Sequence, residues 1–233
     1  MVDRKKLKAT TGLSLYKSMI RIEFGTMREF VDDINRFLTG ETERVKKRIE
    51  DEIKESPELA NEIVEYSIDD LVKYGEEFVG ILLNSSLVAA YSLFEKSLVK
   101  ICDLAEHEFN VSRSKLKGKI SIIGRCKAYI QNDLKISLSD LDASWDKIEQ
   151  YREVRNLITH EDSRIKKVKG QTIEQNKLYP YFDSQKKNIS LKHSGKFYIS
   201  NHAYINEFCN LGESYLNDVI SRVKSQSTQS SKI

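Results

Sequence analysis

The chain has 233 residues, 39% of them hydrophobic and 31% charged, with a formal net charge of +3. A chain of this length can bury about 70% of its unfolded surface, so it needs no staples, and its overall composition fits a soluble globular protein and neither a disordered chain nor a membrane protein. The longest apolar runs, such as Phe78-Val79-Gly80-Ile81-Leu82-Leu83, fall far short of the roughly 20 residues of a bilayer span. The start, Met1-Val2-Asp3-Arg4-Lys5-Lys6, lacks the apolar segment of a signal peptide, so no membrane partner is expected and the cytoplasm is the expected location. Cys102, Cys126 and Cys209 are odd in number, far apart and set among apolar neighbours. They read as buried free thiols in a reducing compartment. With no Cys-x-x-Cys pair and scattered histidines, neither a metal site nor another cofactor is expected.

Pro57 and Pro180 leave a long interval without proline, and Gly80–Gly118 and Gly124–Gly170 enclose stretches free of both glycine and proline. Helix interiors exclude both residues, so long helices are expected. Leu13 to Phe24 fits either a strand or a short helix. From Met27 to about Lys54, Phe30, Val31, Ile34, Phe37, Leu38, Val45, Ile49 and Ile53 recur at helical spacing, with Gly40 expected to break the run into two helices. Ser56-Pro57-Glu58-Leu59 reads as a helix start, with Ser56 as N-cap. That helix is expected to run to about Glu77. A stronger stripe follows from Phe78 to Phe109, through Leu83, Leu87, Ala90, Tyr91, Phe94, Leu98, Ile101 and Ala105. Apolar flanks on both sides of it mark a central helix. Ser139-Asp140-Leu141-Asp142 has the form of a capping box and opens a helix through Trp145, Ile148, Tyr151, Val154 and Ile158. Ile189–Lys192 and Phe197–Ile199, flanking His193-Ser194-Gly195, predict a small hairpin. Ser200 or Asn201 then caps a last helix, and the Ser/Gln-rich stretch from Ser225 is expected to be a disordered tail.

One segment carries chemistry: Tyr151-Arg152-Glu153-Val154-Arg155-Asn156-Leu157-Ile158-Thr159-His160. Arg155, the polar Asn156 after it and His160 resemble the R-(polar)-x-x-x-H motif of the HEPN superfamily. The surroundings agree, since a central helix with Ser86-Leu87-Val88-Ala89-Ala90-Tyr91-Ser92-Leu93-Phe94-Glu95-Lys96 precedes the motif and a hairpin and final helix follow it. The resemblance covers roughly residues 60–222 and leaves 1–55 unexplained. It implies a mainly α, HEPN-like helical bundle with a small β-hairpin before the C-terminal helix. It also implies a two-fold homodimer in which the motifs of both subunits line one cleft, and, in many members, metal-independent RNA cleavage. Glu95 matches an acidic residue that HEPN domains often turn toward the cleft, although a solvated position paired with Lys96 or Lys100 accounts for it equally well. Asp162 stands where HEPN toxins paired with nucleotidyltransferases tend to carry Tyr, which sets this chain apart from that subfamily.

The residue types suit the chemistry. RNA brings its own nucleophile, the 2′-OH. Imidazole moves protons near neutral pH, and a permanently charged, forked guanidinium stabilises charge on phosphoryl oxygens. At about 100° per residue, Arg155 and His160 point roughly 140° apart while Asn156 and His160 share a face, so one helix does not converge the Arg and the His. Ordinary structural roles also exist: His160 complementing the dipole at a helix C-terminus, and Arg155 pairing with Glu153 along its helix.

Charge is local. From Phe109 to Asn132 there are basic residues and no acids: Arg113, Lys115, Lys117, Lys119, Arg125 and Lys127. Arg164, Lys166, Lys167 and Lys169 follow the motif, while residues 41–70 are acidic. Basic segments beside a phosphate-cleaving site suit an RNA groove, although solvated loops are the commoner fate of such runs. The expected organisation is a helical extension over 1–55, a HEPN-like domain over 56–224 and a tail over 225–233. The expected activity is that of a HEPN-type endoribonuclease, a toxin or effector in prokaryotic defence with a neutralising or regulatory protein partner. The alternative is a non-catalytic HEPN-like module binding RNA, a nucleotide or a partner protein.

Overall fold

The computed structural model describes residues 4–115, 118–165 and 172–229, with side chains from Gly12 to Gln226. The protein is mainly α. Its helices are α1 (Arg4–Glu55), α2 (Ala60–Val72), α3 (Phe78–Phe109), α4 (Ile122–Ala128), α5 (Asp142–His160), α6 (Tyr179–Ser184) and α7 (Ala203–Gln229). An antiparallel hairpin, β1 (Ile189–Leu191) and β2 (Phe197–Ile199), precedes α7 and pairs Ile189 with Ile199 and Leu191 with Phe197. Both the helical class and the hairpin agree with the sequence reading.

Several local expectations are corrected. α1 passes through Gly40 without a break and also takes in the ambiguous Leu13–Phe24. Glycine costs a helix interior about 0.5–1 kcal/mol, and the buried stripe of Leu13, Ile20, Phe24, Val31, Leu38 and Val45 offsets that. Phe30 and Phe37, counted with that stripe, lie on another face and are 52% and 55% exposed. Ser56 makes no side-chain cap, and Pro57–Leu59 form a 3₁₀ turn before α2. α2 does not stop before α3: a π-helical turn over Lys73–Glu77 joins them. The capping box at Ser139 is not formed. Ser139–Leu141 is a 3₁₀ turn, and the Ser139 hydroxyl shares a hydrogen bond with that of Ser137 at 3.1 Å. Asn201 rather than Ser200 caps α7, its Oδ1 accepting from the N–H of Ala203 at 3.0 Å. Ser225–Gln229, read as the start of a disordered tail, is helical; residues 230–233 lie outside the described residues.

Two compact units share the chain, one drawing on Met1–Met27, Ala89–Arg152 and Glu207–Ile233 and the other on Arg28–Val88 and Glu153–Asn206. Their boundaries fall inside α1, α3, α5 and α7, and no boundary falls at residue 55. The first unit centres on aromatic rings. Phe208 lies 4.9 Å from Tyr151, 5.7 Å from Tyr91 and 6.1 Å from Phe94, centroid to centroid. Burying each such ring contributes about 1.5–3 kcal/mol. Gly212 brings α7 close to this cluster, since a Cβ there would sit 3.2 Å from Phe94 and 3.4 Å from Phe24. Outside the rings, Arg222 of α7 donates to the Ser137 carbonyl at 2.9 Å and pairs with Asp140. All three cysteines are buried and free.

In the second unit Arg48 of α1 pairs with Asp70 of α2 at 2.8 Å. Gly80 of α3 admits the Tyr198 side chain, whose Cβ would lie 3.0 Å from a Cβ at that position. The hairpin is anchored by Phe197 against Phe182 of α6, 4.8 Å between centroids. The helical run Pro57–Phe109 is long and apolar enough to cross a membrane by length and composition alone. Leu83, Leu87, Ala90, Phe94, Leu98 and Ile101 of this run are buried inside the protein, while Leu59, Val64, Ile68, Val72 and Ile81 are exposed; burial of one face is the usual use of a core helix.

Candidate functional site

The motif residues Arg155, Asn156 and His160 all lie in the last two turns of α5, within the second unit. His160 is the last helical residue and is exposed, while Arg155 and Asn156 are half-buried. Arg155 Nη1 donates to Asn156 Oδ1 at 3.2 Å. Four residues apart, Asn156 and His160 occupy one face. Thr159 Oγ1 donates to the Arg155 carbonyl at 3.0 Å, which ties the exposed hydroxyl back to the helix.

The end of α5 is fixed by unusual backbone. The N–H groups of Glu161 and Ser163 both donate to the Leu157 carbonyl, at 3.1 and 3.0 Å. Asp162 and Ser163 adopt left-handed conformations, with φ of 49° and 53°. Such residues cost on the order of 1 kcal/mol or more each and persist only when their surroundings hold them. Here the surroundings are the hairpin and Asn84 of α3. The Ser163 carbonyl accepts from the N–H of Phe197 at 2.9 Å, and Ile165 N–H donates to the Gly195 carbonyl at 2.9 Å. Asn84 Nδ2 donates to Ser163 Oγ at 3.1 Å, and Asn84 Oδ1 accepts from the buried N–H of Ile199 at 3.0 Å. One amide therefore fastens α3 to both the α5 terminus and β2.

Beside this terminus, still within the second unit, opens a cleft of about 560 Å³. Ile81, Ile158, Phe197 and Tyr198 give it an apolar floor, and Glu76, Glu77, Lys192 and Lys196 stand around it. Lys192 Nζ pairs with Glu76 at 2.7 Å and lies 5.8 Å from the centre of the Tyr198 ring. The hydrogen bond that Lys192 donates to Glu76 holds its ammonium above its ordinary pKa. Asp162 and Ser163 reach the cleft, but Arg155, Asn156 and His160 do not line it. Sequence reasoning did not find this cleft. Its available signal was Asn84-Ser85-Ser86, a polar step inside an otherwise apolar helix.

The other expected site residues are dispersed. Glu95 belongs to the first unit, where it is half-buried on α3 and pairs with neither Lys96 nor Lys100. Arg113 is committed to Asp103 and, at 3.3 Å, to Glu106, and it lies over the Tyr129 ring. Lys127 is held by Asp142 at 2.7 Å and lies 4.8 Å from the centre of the Trp145 ring. Lys115, Lys119, Arg125 and Arg164 are exposed. Lys117, Lys166 and Lys167 fall outside the described residues. Among the described residues no group of three or more His, Cys, Asp or Glu could hold a metal ion.

The chain matches no protein-family model, no curated protein and no solved structure.

Proposed function

We propose that the protein is a metal-independent endoribonuclease of the HEPN type that acts as a homodimer. The observation that carries this reading is the form of the α5 terminus. An exposed imidazole ends the helix, one turn after an asparagine on the same face, and a guanidinium is bonded to that asparagine at 3.2 Å. An exposed His160 can reach a polymer, and a rigidly held helix end keeps it in register.

In the proposed reaction His160 takes the proton of the RNA 2′-OH, whose oxygen attacks the adjacent phosphorus. The P–O5′ bond breaks, leaving a 2′,3′-cyclic phosphate and a 5′-oxygen that accepts a proton from His160 of the partner subunit. Arg155 stabilises the charge on the non-bridging oxygens. The two-fold pairing is what the resemblance implies, and the divergence of Arg155 and His160 by roughly 140° along one helix supports it. Arg164, exposed in the same unit as the motif, would contribute to phosphate binding in a salt-dependent way. A toxin or effector role with a neutralising protein partner belongs to the same proposal and rests on the resemblance alone. The bond between Arg155 and Asn156 also favours a second reading, a non-catalytic module in which that pair recognises RNA, a nucleotide or a partner protein.

The test is the chemistry of the cut. In EDTA, a labelled RNA should give products ending in a 2′,3′-cyclic phosphate or its opened form, and the same sequence with 2′-O-methyl groups should stay intact. Cleavage of the methylated strand, or a requirement for Mg²⁺, would remove the reading. Light scattering showing a monomer at micromolar concentration would remove the homodimer.

A further inference from the structure

From the geometry of the second unit's cleft we infer that it binds a guanine base, that of a nucleotide flanking the scissile bond; the flanking position rests on the endoribonuclease reading above. At about 560 Å³ the cleft falls within the roughly 300–1,000 Å³ range of small-ligand sites. Its apolar side, with Ile81, Ile158 and the half-buried Tyr198, suits a flat π-face, since stacking on an aromatic ring is a common way for proteins to hold an unpaired base. Phe197 is buried against Phe182 and lends no ring to it.

Which base enters follows from the polar groups that remain uncommitted. Asn84 spends its carbonyl on Ile199 and its amino group on Ser163. Glu76 and Lys192 are paired with each other. That leaves Glu77, Asp162 and Lys196, which line the cleft, are exposed and form no ion pair with a described residue. Of the two acids, Glu77 stands one turn before Ile81 of the floor, on the same helical face, and is the one assigned to the base. A carboxylate only accepts hydrogen bonds, and an ammonium only donates them. Guanine offers two adjacent donors, N1–H and the N2 amino group, to one carboxylate, and O6 and N7 as acceptors to a cation. Adenine and cytosine present one amino group beside a ring acceptor. Uracil places a single N–H between two carbonyls, so its edge repels a carboxylate. The acids Glu76, Glu77 and Asp162 around the cleft also disfavour a phosphate inside it.

The position is equally specific. At about 100° per residue Ile158 faces away from Asn156 and His160 across α5. A strand rounding the end of a helix about 10–12 Å across would present the scissile bond to His160 and a neighbouring base to the cleft.

The test titrates the wild-type protein with GMP, AMP, CMP and UMP by calorimetry and by chemical-shift changes of the hairpin amides. GMP should bind about tenfold or more tightly than UMP, the discrimination one bidentate contact supplies, and should shift the Phe197 and Tyr198 amides. The exposed substitution Glu77→Gln should remove most of that preference while the unfolding midpoint stays at the wild-type value. Equal binding of the four nucleotides, no binding of GMP, or an unchanged preference in Glu77→Gln would overturn the inference. GMP selectivity in a protein that cuts no RNA would uphold the cleft and remove the nuclease. Motif-dependent cleavage with no GMP preference would remove the cleft alone.

Discussion

Replacing Asn84 by alanine tests whether one side chain holds the α5 terminus and the hairpin in place. The substitution deletes the acceptor for Ile199 N–H at 3.0 Å and the donor to Ser163 Oγ at 3.1 Å. Ile199 is fully buried, so its N–H cannot turn to water, and a buried unsatisfied donor costs about 1–3 kcal/mol. Ser163 is only half-buried and can re-solvate, which limits that loss to about 0.5–1.5 kcal/mol. Together the cost is about 2–4 kcal/mol, a large part of a typical 5–15 kcal/mol stability. With a urea dependence of about 2–3 kcal/mol per molar, the unfolding midpoint should fall by about 0.7–2 M. Ser163→Ala should lose only the smaller share. Hydrogen exchange at the Ile199 amide should accelerate in Asn84→Ala and stay slow in Ser163→Ala. An Asn84→Ala protein with the wild-type midpoint and a protected Ile199 amide would refute the reasoning.

At Gly195, φ is +85° and a Cβ would lie 2.7 Å from the Ile165 carbonyl oxygen. Gly195→Ala should therefore destabilise the protein by about 1–3 kcal/mol in urea titration, and a neutral result would contradict the turn geometry. Arg222 holds the Asp140 carboxyl below its ordinary pKa of 3.8 through a side-chain hydrogen bond. A depressed carboxyl contributes stability above its unfolded value and loses it as pH falls through the folded one. The midpoint difference between wild type and Asp140→Asn should accordingly be constant at neutral pH and disappear below pH 3.8, and a difference that grows in acid would contradict the pairing.

The fold was legible wherever one local signal dominated. Alternating Ile189–Leu191 and Phe197–Ile199 around a glycine gave the hairpin, because only Gly195 tolerates the turn's positive φ without strain. Leu13–Phe24 was ambiguous because a short apolar run fits either period, and its place on α1 is decided by burial of Leu13, Ile20 and Phe24. Gly40 and Ser139 misled for one reason: a local preference worth about 1 kcal/mol yields to packing of the same size or larger. At Ser139 the neighbouring Asp140 serves Arg222, 82 residues away in sequence. The motif on α5 could be read because its residues are contiguous. The cleft could not, because Glu77, Asn84, Ile158 and Lys196 meet only after folding. Arg113 and Lys127 looked like free cations because their acids, Asp103, Glu106 and Asp142, lie outside the acid-free stretch that drew attention to them.

The most direct test of the central claim is single-turnover RNA cleavage in EDTA by wild type and His160→Ala, with equal unfolding midpoints established first. Loss of a general acid/base should slow cleavage by about 10²-fold or more. Arg155→Lys, measured alongside, should be nearly as slow as Arg155→Ala, because a point charge cannot reproduce the guanidinium fork. A His160→Ala protein that cuts at the wild-type rate would contradict the account and leave the binding module as the reading of this site.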